Sequence, residues 1–162
     1  FLGRPKLLII KPITSNCMNK DTKEEYLEAL YKLFSDSDSI KTGEIAETLE
    51  VSPPTVTEVL PVLEEEGYLK YKPYYGVTLT EKGKEEGRRI VRTHRVLEVF
   101  LDKYFSLDKS KIHEKACQME HIFDMEMINL ICKRMGAPEV CPHGKEIPPC
   151  DFEECPVGDD ED

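Results

Sequence analysis

The densest chemistry in the chain lies between His113 and His121, where His113, Cys117, Glu120 and His121 stand at i, i+4, i+7 and i+8. On a helix these offsets place all four side chains on one face. Two imidazoles, a thiol and a carboxylate are costly to bury together, and they are ligand types for a divalent transition metal. The plainer alternative is a solvated helix face with one buried cysteine. His94 and Glu98, at i and i+4, are a second candidate chelating pair, equally readable as an intrahelical hydrogen bond. Cys141 and His143, with Cys150 and Cys155 beyond them, could hold zinc, although their spacing matches no standard module. Their alternative is an ordered loop followed by a disordered acidic end. Glu25 and Glu28, at i and i+3 near the start, read by themselves as capping and solvated positions.

The elements that must position these residues can be read from periodicity. Residues 21–34 repeat apolar side chains at helical spacing through Tyr26, Leu27, Leu30, Leu33 and Phe34, with Thr22 and Glu25 as a capping box. A short helix from Thr42 is followed by a turn at Glu50–Ser52 and a second helix from Pro53, with Gly67 as its stop. Pro61 predicts a kink inside that helix. Tyr68–Tyr71 and Val77–Thr80 are β-like runs joined by Lys72–Gly76. Thr80 then caps a long helix to Tyr104, which carries a basic stripe of Lys82, Lys84, Arg88, Arg89, Arg92 and Arg95. The His113–His121 stretch lies on the next helix, and a last one runs from Asp124 to Arg134 before Gly136 and Pro138. Its apolar side, Met125, Ile128, Leu130 and Ile131, has few partners within the chain and predicts pairing with a second copy.

Two short helices followed by a hairpin make a winged helix-turn-helix. The second of these helices enters the major groove of double-stranded DNA with its N-terminal residues at the base edges. Ser52, Thr55 and Thr57 offer hydroxyls to phosphates or bases, Pro54 can meet a thymine methyl, and Lys70 and Lys72 on the wing can reach phosphates.

Composition sets bounds on these readings. The net charge is -10, but residues 151–162 hold seven acids and no base, leaving 25 acids against 22 bases elsewhere. Such a body does not exclude a local DNA-binding face. The six cysteines, several beside His or Glu, suit an intracellular metal-binding protein better than a disulfide framework. No apolar run reaches the ~18 residues of a membrane span, so no membrane partner is expected and the location reads as cytoplasmic. No Gly-rich phosphate loop or nucleophile–base motif points to an enzyme. Residues 1–17 read as a leader or artefactual extension, with Met18 as the natural start.

The winged helix, then His94-x3-Glu98, then His113-x3-Cys117-x2-Glu120-His121, resembles the diphtheria-toxin-repressor family of iron- and manganese-dependent transcriptional regulators, over residues 20–149. The resemblance implies a mainly α protein with an N-terminal winged helix-turn-helix and a helical metal-binding and dimerisation domain. It implies a homodimer that binds palindromic operators when metal-loaded and mostly represses metal-uptake genes. By matching position, Glu25, Cys117, Glu120 and His121 would form a primary site, and His94, Glu98 and His113 an ancillary one. Glu28 matches a carboxylate of the manganese branch. A carboxylate at Glu25 is manganese-like and a thiol at Cys117 iron-like, so Fe2+ is expected first, Mn2+ next, and other divalent transition metals after them. The family's SH3-like third domain is not expected. Glu58 replaces a Gln used for base contact. The expected units are residues 1–20 (leader), 21–80 (DNA-binding), 81–140 (metal-binding and dimerisation) and 141–162 (the Cys/His-containing acidic tail). Two rival readings are a redox- or ligand-responsive winged-helix regulator and a metal-buffering or zinc-structured interaction protein.

Overall fold

The structure, a computed structural model, describes residues 19–34 and 39–150. The expectations for residues 1–18, for Cys155 and for the acidic run 151–162 lie outside the described residues. The chain forms α1 (Lys20–Phe34), α2 (Thr42–Thr48), α3 (Pro53–Glu65), β1 (Leu69–Lys72), β2 (Gly76–Leu79), α4 (Glu81–Phe105), α5 (Lys109–Met119) and α6 (Met125–Arg134). It is mainly α with a two-stranded wing, as the periodicity predicts.

The first core gathers Tyr26 and Leu30 of α1, Ile45 of α2, Val56, Leu60 and Leu63 of α3, and Leu69 and Val77 of the wing. Ser52 caps α3 by accepting from the Thr55 N–H, and the two prolines at its start need no intrahelical donor. Gly67, at φ +82, closes α3 with N–H bonds from Gly67 to Glu64 O and from Tyr68 to Leu63 O, a Schellman arrangement. The expected kink at Pro61 does not end the helix: α3 runs through it to Glu65, with Pro61 on the exposed side. The wing pairs Leu69 with Leu79 and Lys72 with Gly76, and Ile40 bridges to Val77 on its other side. The capping box expected at Thr22 and Glu25 does not form at the start of α1. The helix begins at Lys20, so Thr22 is already inside it.

The second core joins Val96, Leu97 and Leu101 of α4 to Ile112 and Ala116 of α5, Ile128 and Cys132 of α6, and Cys141 and Ile147 beyond them. Residues 141–150 are thus partly built into this core rather than forming a separate tail. Helix α4 spans both halves. At Gly87 a Cβ would lie 2.6 Å from Tyr31 Cβ and 2.9 Å from Leu27 O, so this glycine permits the close approach of α1 to α4. That approach brings the carboxylates of α1 over the ligand-bearing middle of α4.

The basic stripe on α4 is largely engaged within the fold. Arg88 donates to Pro149 O, Arg92 to Pro148 O and Arg95 to Glu146 O, strapping the C-terminal segment onto the helix. Lys82 donates to Glu66 O and lies over the Tyr68 ring. Lys84 and Arg89 pair with Glu81 and Glu86.

Candidate metal centre

Helix α5 ends at Met119, earlier than the ligand spacing suggests. His113 and Cys117 share its face, Glu120 is its C-cap, and His121 lies in the following turn. The expected four-residue face is therefore broken after Glu120. The chain must reverse here to reach Asp124, whose carboxylate accepts the Met127 N–H at the start of α6.

His94, buried in the middle of α4, is the meeting point. Its Nδ1 lies 2.6 Å from Glu120 Oε2 and 3.9 Å from Cys117 Sγ. Its Nε2 lies 3.0 Å from Glu98 Oε1 and 3.1 Å from His113 Nδ1. Glu98 Oε1 also lies 3.1 Å from His113 Nδ1 and 3.1 Å from His143 Nδ1, so three imidazoles converge on one carboxylate oxygen. Among the described residues, three groups bring one ligand atom per residue within 4.8 Å of one another: Glu28, His94 and Glu120; His94, His113 and Cys117; and Glu98, Cys141 and His143.

Most of the expected ligands converge, with changes of partner. His94, Glu98 and His113 meet as the ancillary set requires. Glu28 joins Glu120, and Cys141 and His143 join Glu98. Cys150 turns elsewhere, its thiol 3.4 Å from Asn129 Oδ1. The primary set of Glu25, Cys117, Glu120 and His121 does not close as one group: neither Glu25 nor His121 is in any of the three. The rotation of α1 directs Glu24 toward His121 instead, with Oε2 2.6 Å from Nδ1. Sequence reasoning missed Glu24, whose one sequence-level sign is its place beside Glu25. A carboxylate on Nδ1 fixes the ring and leaves Nε2 available as a ligand atom. That Nε2 lies 3.7 Å from Glu120 Oε1.

The electrostatics follow from this crowding. Burial works against a charge on His94, but hydrogen bonds with Cys117, Glu120 and Glu98 and the nearby Glu28 carboxylate push it up to about 12. Cys117 and Glu98 raise His113 to about 9, against its burial and the charge on His94. Burial raises the Cys117 thiol, yet His113 and His94 bring it down to about 7. Glu98 is held well below the usual carboxylate range: burial opposes this, and hydrogen bonds from His113 and His94 outweigh it. Burial, with the Glu28 carboxylate, holds Glu120 above its ordinary value, against the hydrogen bond from His94.

This donor set fits a divalent cation. Glu98 and Glu120, 3% and 7% exposed, are buried carboxylates whose cationic neighbours are imidazoles rather than Lys or Arg. The imidazoles can give up their protons to a metal. The mixture of carboxylate, imidazole and thiol is suited to first-row metals.

The DNA-facing expectations lie together on the surface. Ser52, Pro54 and Thr57 are exposed at the start of α3, and Thr55 is partly so. Ser52 Oγ and Thr55 Oγ1 lie 2.8 Å apart, so one of them donates to the other, and the Thr57 hydroxyl donates to Pro54 O, which leaves one of the three hydroxyl hydrogens for an outside acceptor. Lys70 and Lys72 are exposed on β1.

Two family descriptions match this architecture in succession: "Iron dependent repressor, N-terminal DNA binding domain" over residues 18–77, and "Iron dependent repressor, metal binding and dimerisation domain" over residues 80–149. An HTH-type transcriptional regulator of Methanocaldococcus jannaschii is 39% identical over 106 residues, 65% of this chain and 85% of that protein. The chain belongs to the iron-dependent, or diphtheria-toxin, repressor family. This family consists of transcriptional regulators rather than enzymes. The HTH-type transcriptional regulator MntR of Lysinibacillus sphaericus is 33% identical over 125 residues, 77% of this chain and 89% of the relative. The solved structure of the manganese regulator SloR is 35% identical with a TM-score of 0.70, over 78% of this chain and 59% of that one. No helix among the described residues is long and apolar enough to cross a membrane.

Proposed function

We propose that this repressor-family chain binds operator DNA as a homodimer when loaded with Mn2+ or Fe2+, and controls metal-uptake genes. The observation that carries the metal switch is the group Glu28, His94 and Glu120. Glu28 belongs to α1, which helps build the DNA-reading core, whereas His94 and Glu120 belong to α4 and the end of α5. A divalent cation at this group supplies the positive charge that lets three donors from the two halves stay close. Glu28 and Glu120 raise the cost of that closeness when they face each other without it. Glu24 orients His121 from the same helix, and Gly87 keeps α1 near α4. Metal affinity for the ordered arrangement then shifts the population toward the form able to engage DNA.

The choice of metal divides by ligand. Two of the solved relatives are named for manganese, while ScaR is solved with Zn2+ and with Cd2+, and the two carboxylates beside His94 suit Mn2+. Cys117, a softer donor, suits Fe2+. The group Glu98, Cys141 and His143, with His113 alongside, supports a second cation.

The test is duplex binding by fluorescence anisotropy, using DNA selected from a random pool by the Mn2+-loaded protein. Wild type is compared metal-free, with Mn2+, and anaerobically with Fe2+, beside His94→Ala. Metal is expected to tighten wild-type binding about 100-fold, a coupling of ~2.7 kcal/mol. His94→Ala is expected to lose most of that gain. Equal, metal-independent binding by both proteins overturns the switch and leaves DNA binding standing.

A further inference from the structure

The arginine strap gives the C-terminal segment a direction. Arg95 holds the carbonyl of Glu146, Arg92 that of Pro148 and Arg88 that of Pro149. Successive residues of the segment therefore step toward the N-terminal end of α4, which follows the wing after a single residue. The Cys150 thiol, 3.4 Å from Asn129 Oδ1 of α6, fixes the last described residue of the segment. What comes next is the acidic run, residues 151–162, with seven acids and no base. Neither the metal centre nor the recognition helix uses it. Extended, its twelve residues reach about 40 Å. From Arg88 back to the start of α4 is about 10 Å, and the four-residue strands of the wing add about 13 Å. The run is long enough to reach the tip of the wing.

The cations along that course differ in their partners. Lys84 and Arg89, on α4 itself, are already paired with Glu81 and Glu86. Lys41, Lys70, Lys72 and Lys82, around the wing, are exposed. The Lys41 ammonium donates to Tyr75 O and that of Lys82 to Glu66 O. Lys72 Nζ lies 6.0 Å from the Tyr75 ring centre, and Lys82 Nζ 4.2 Å from that of Tyr68. Among the described residues these charges meet carbonyl oxygens and ring faces, and no carboxylate forms an ion pair with them. The wing end of the DNA-reading half is thus a cluster of uncompensated positive charge within reach of an uncompensated negative run.

We propose that residues 151–162 dock on these four lysines of the same chain and compete there with the phosphates of DNA. A row of carboxylates offers the lysines the charge that a row of phosphates offers, and the short tether from Cys150 keeps its local concentration about millimolar. Each contact is made at an exposed lysine and is individually weak. A duplex that also engages α3 through its base edges therefore displaces the run, whereas a duplex held through phosphates alone does so poorly. The run thereby weakens binding to unrelated sequence more than binding to the operator. The proposal rests on the DNA-binding reading and adds to it a competitor built into the chain.

The experiment compares the full chain with a full-length variant in which every Asp and Glu of residues 151–162 becomes Asn or Gln. With Mn2+ present, the variant is expected to bind an unrelated duplex about tenfold more tightly than wild type at about 50 mM salt, and the selected duplex about threefold more tightly. Both differences are expected to vanish at about 300 mM salt. Docking is read without DNA, by zero-length carbodiimide coupling of carboxylates to amines in wild type, followed by trypsin and mass spectrometry. The run is expected to couple to Lys41, Lys70, Lys72 and Lys82, and added duplex is expected to remove those links. Equal affinities for wild type and variant, or coupling to Lys109, Lys133 and Lys145 as readily as to the four, overturn the docking and leave DNA binding standing. Links found only between differently isotope-labelled copies overturn docking within one chain. A wild type that selects no duplex under any metal condition, with its links to the four lysines intact, overturns the DNA-binding reading and the competition with it, and leaves the docking in place.

Discussion

Three titrating side chains around His94 set opposed pH dependences for the metal-free and metal-loaded protein. A ligand must shed its proton to hold a cation. With His94 raised to about 12, His113 to about 9 and Cys117 lowered to about 7, binding near pH 8 expels roughly two protons. Mn2+ affinity measured by calorimetric titration is expected to rise steeply between pH 6.5 and 9, and a flat profile would show that these imidazoles are not ligands. In the metal-free protein the raised pKa of His113 contributes stability that is complete below 6.5 and is lost as pH climbs through about 9. His94 acts in the same sense. Cys117 opposes them, its thiolate adding stability as pH rises from 7 to 9. Two histidines outweigh one thiol, so the thermal midpoint of metal-free protein is expected to fall over the window in which Mn2+ affinity rises. The histidines and Cys117 were legible in the sequence because their spacing and types are distinctive. Glu24 was not: neighbouring carboxylates on α1 point about 100° apart, and which one meets His121 depends on how the helix is rotated.

That rotation and spacing are set by elements. Gly87 lets α1 cross α4 closely, with Tyr31 Cβ and Leu27 O against the place a Cβ would occupy. Gly87→Ala is expected to destabilise the metal-free fold by about 1–3 kcal/mol in urea unfolding. It is also expected to weaken Mn2+ binding, since Glu28 retreats from His94. A variant with wild-type stability and affinity would disconnect this crossing from the site. The order of helices and the wing could be read from sequence, because caps, glycines and apolar periodicity all agree there. The arginine strap could not. A basic stripe in a DNA-binding chain invites a phosphate partner, but Arg88, Arg92 and Arg95 find backbone carbonyls more than 50 residues away. Pro61, on the exposed side of α3, does not end the helix, which runs on to Glu65.

At the scale of the whole molecule, several large apolar side chains of the second half are left open among the described residues. Ile122, Met127 and Leu130 around α6, and Tyr104 and Phe105 at the end of α4, are about half exposed or more. Of the α6 side expected from the sequence to pair with a second copy, Ile128 is buried in the chain's own core and Ile131 packs against it, so Leu130 is the member of that side left exposed for a homodimer to cover. Leu130→Glu is expected to give a monomer by analytical ultracentrifugation and to weaken operator binding by at least about tenfold, because two linked half-site contacts become one. A dimeric Leu130→Glu with wild-type affinity would place the interface elsewhere. The two halves match different family descriptions, DNA binding in the first and metal binding and dimerisation in the second, and the group of Glu28, His94 and Glu120 draws on both.

His94 gives that middle ground a rule of its own. Its ring faces a different set of donors from each nitrogen, yet a neutral imidazole has one lone pair to give and one hydrogen to keep. A cation held on the Nδ1 side, with Glu28 and Glu120, would leave the ring hydrogen on Nε2, pointing at Glu98. Two of the three groups, Glu28 with His94 and Glu120 and His94 with His113 and Cys117, include this ring, and a cation in one would deny it to the other, whereas the group of Glu98, Cys141 and His143 would be untouched.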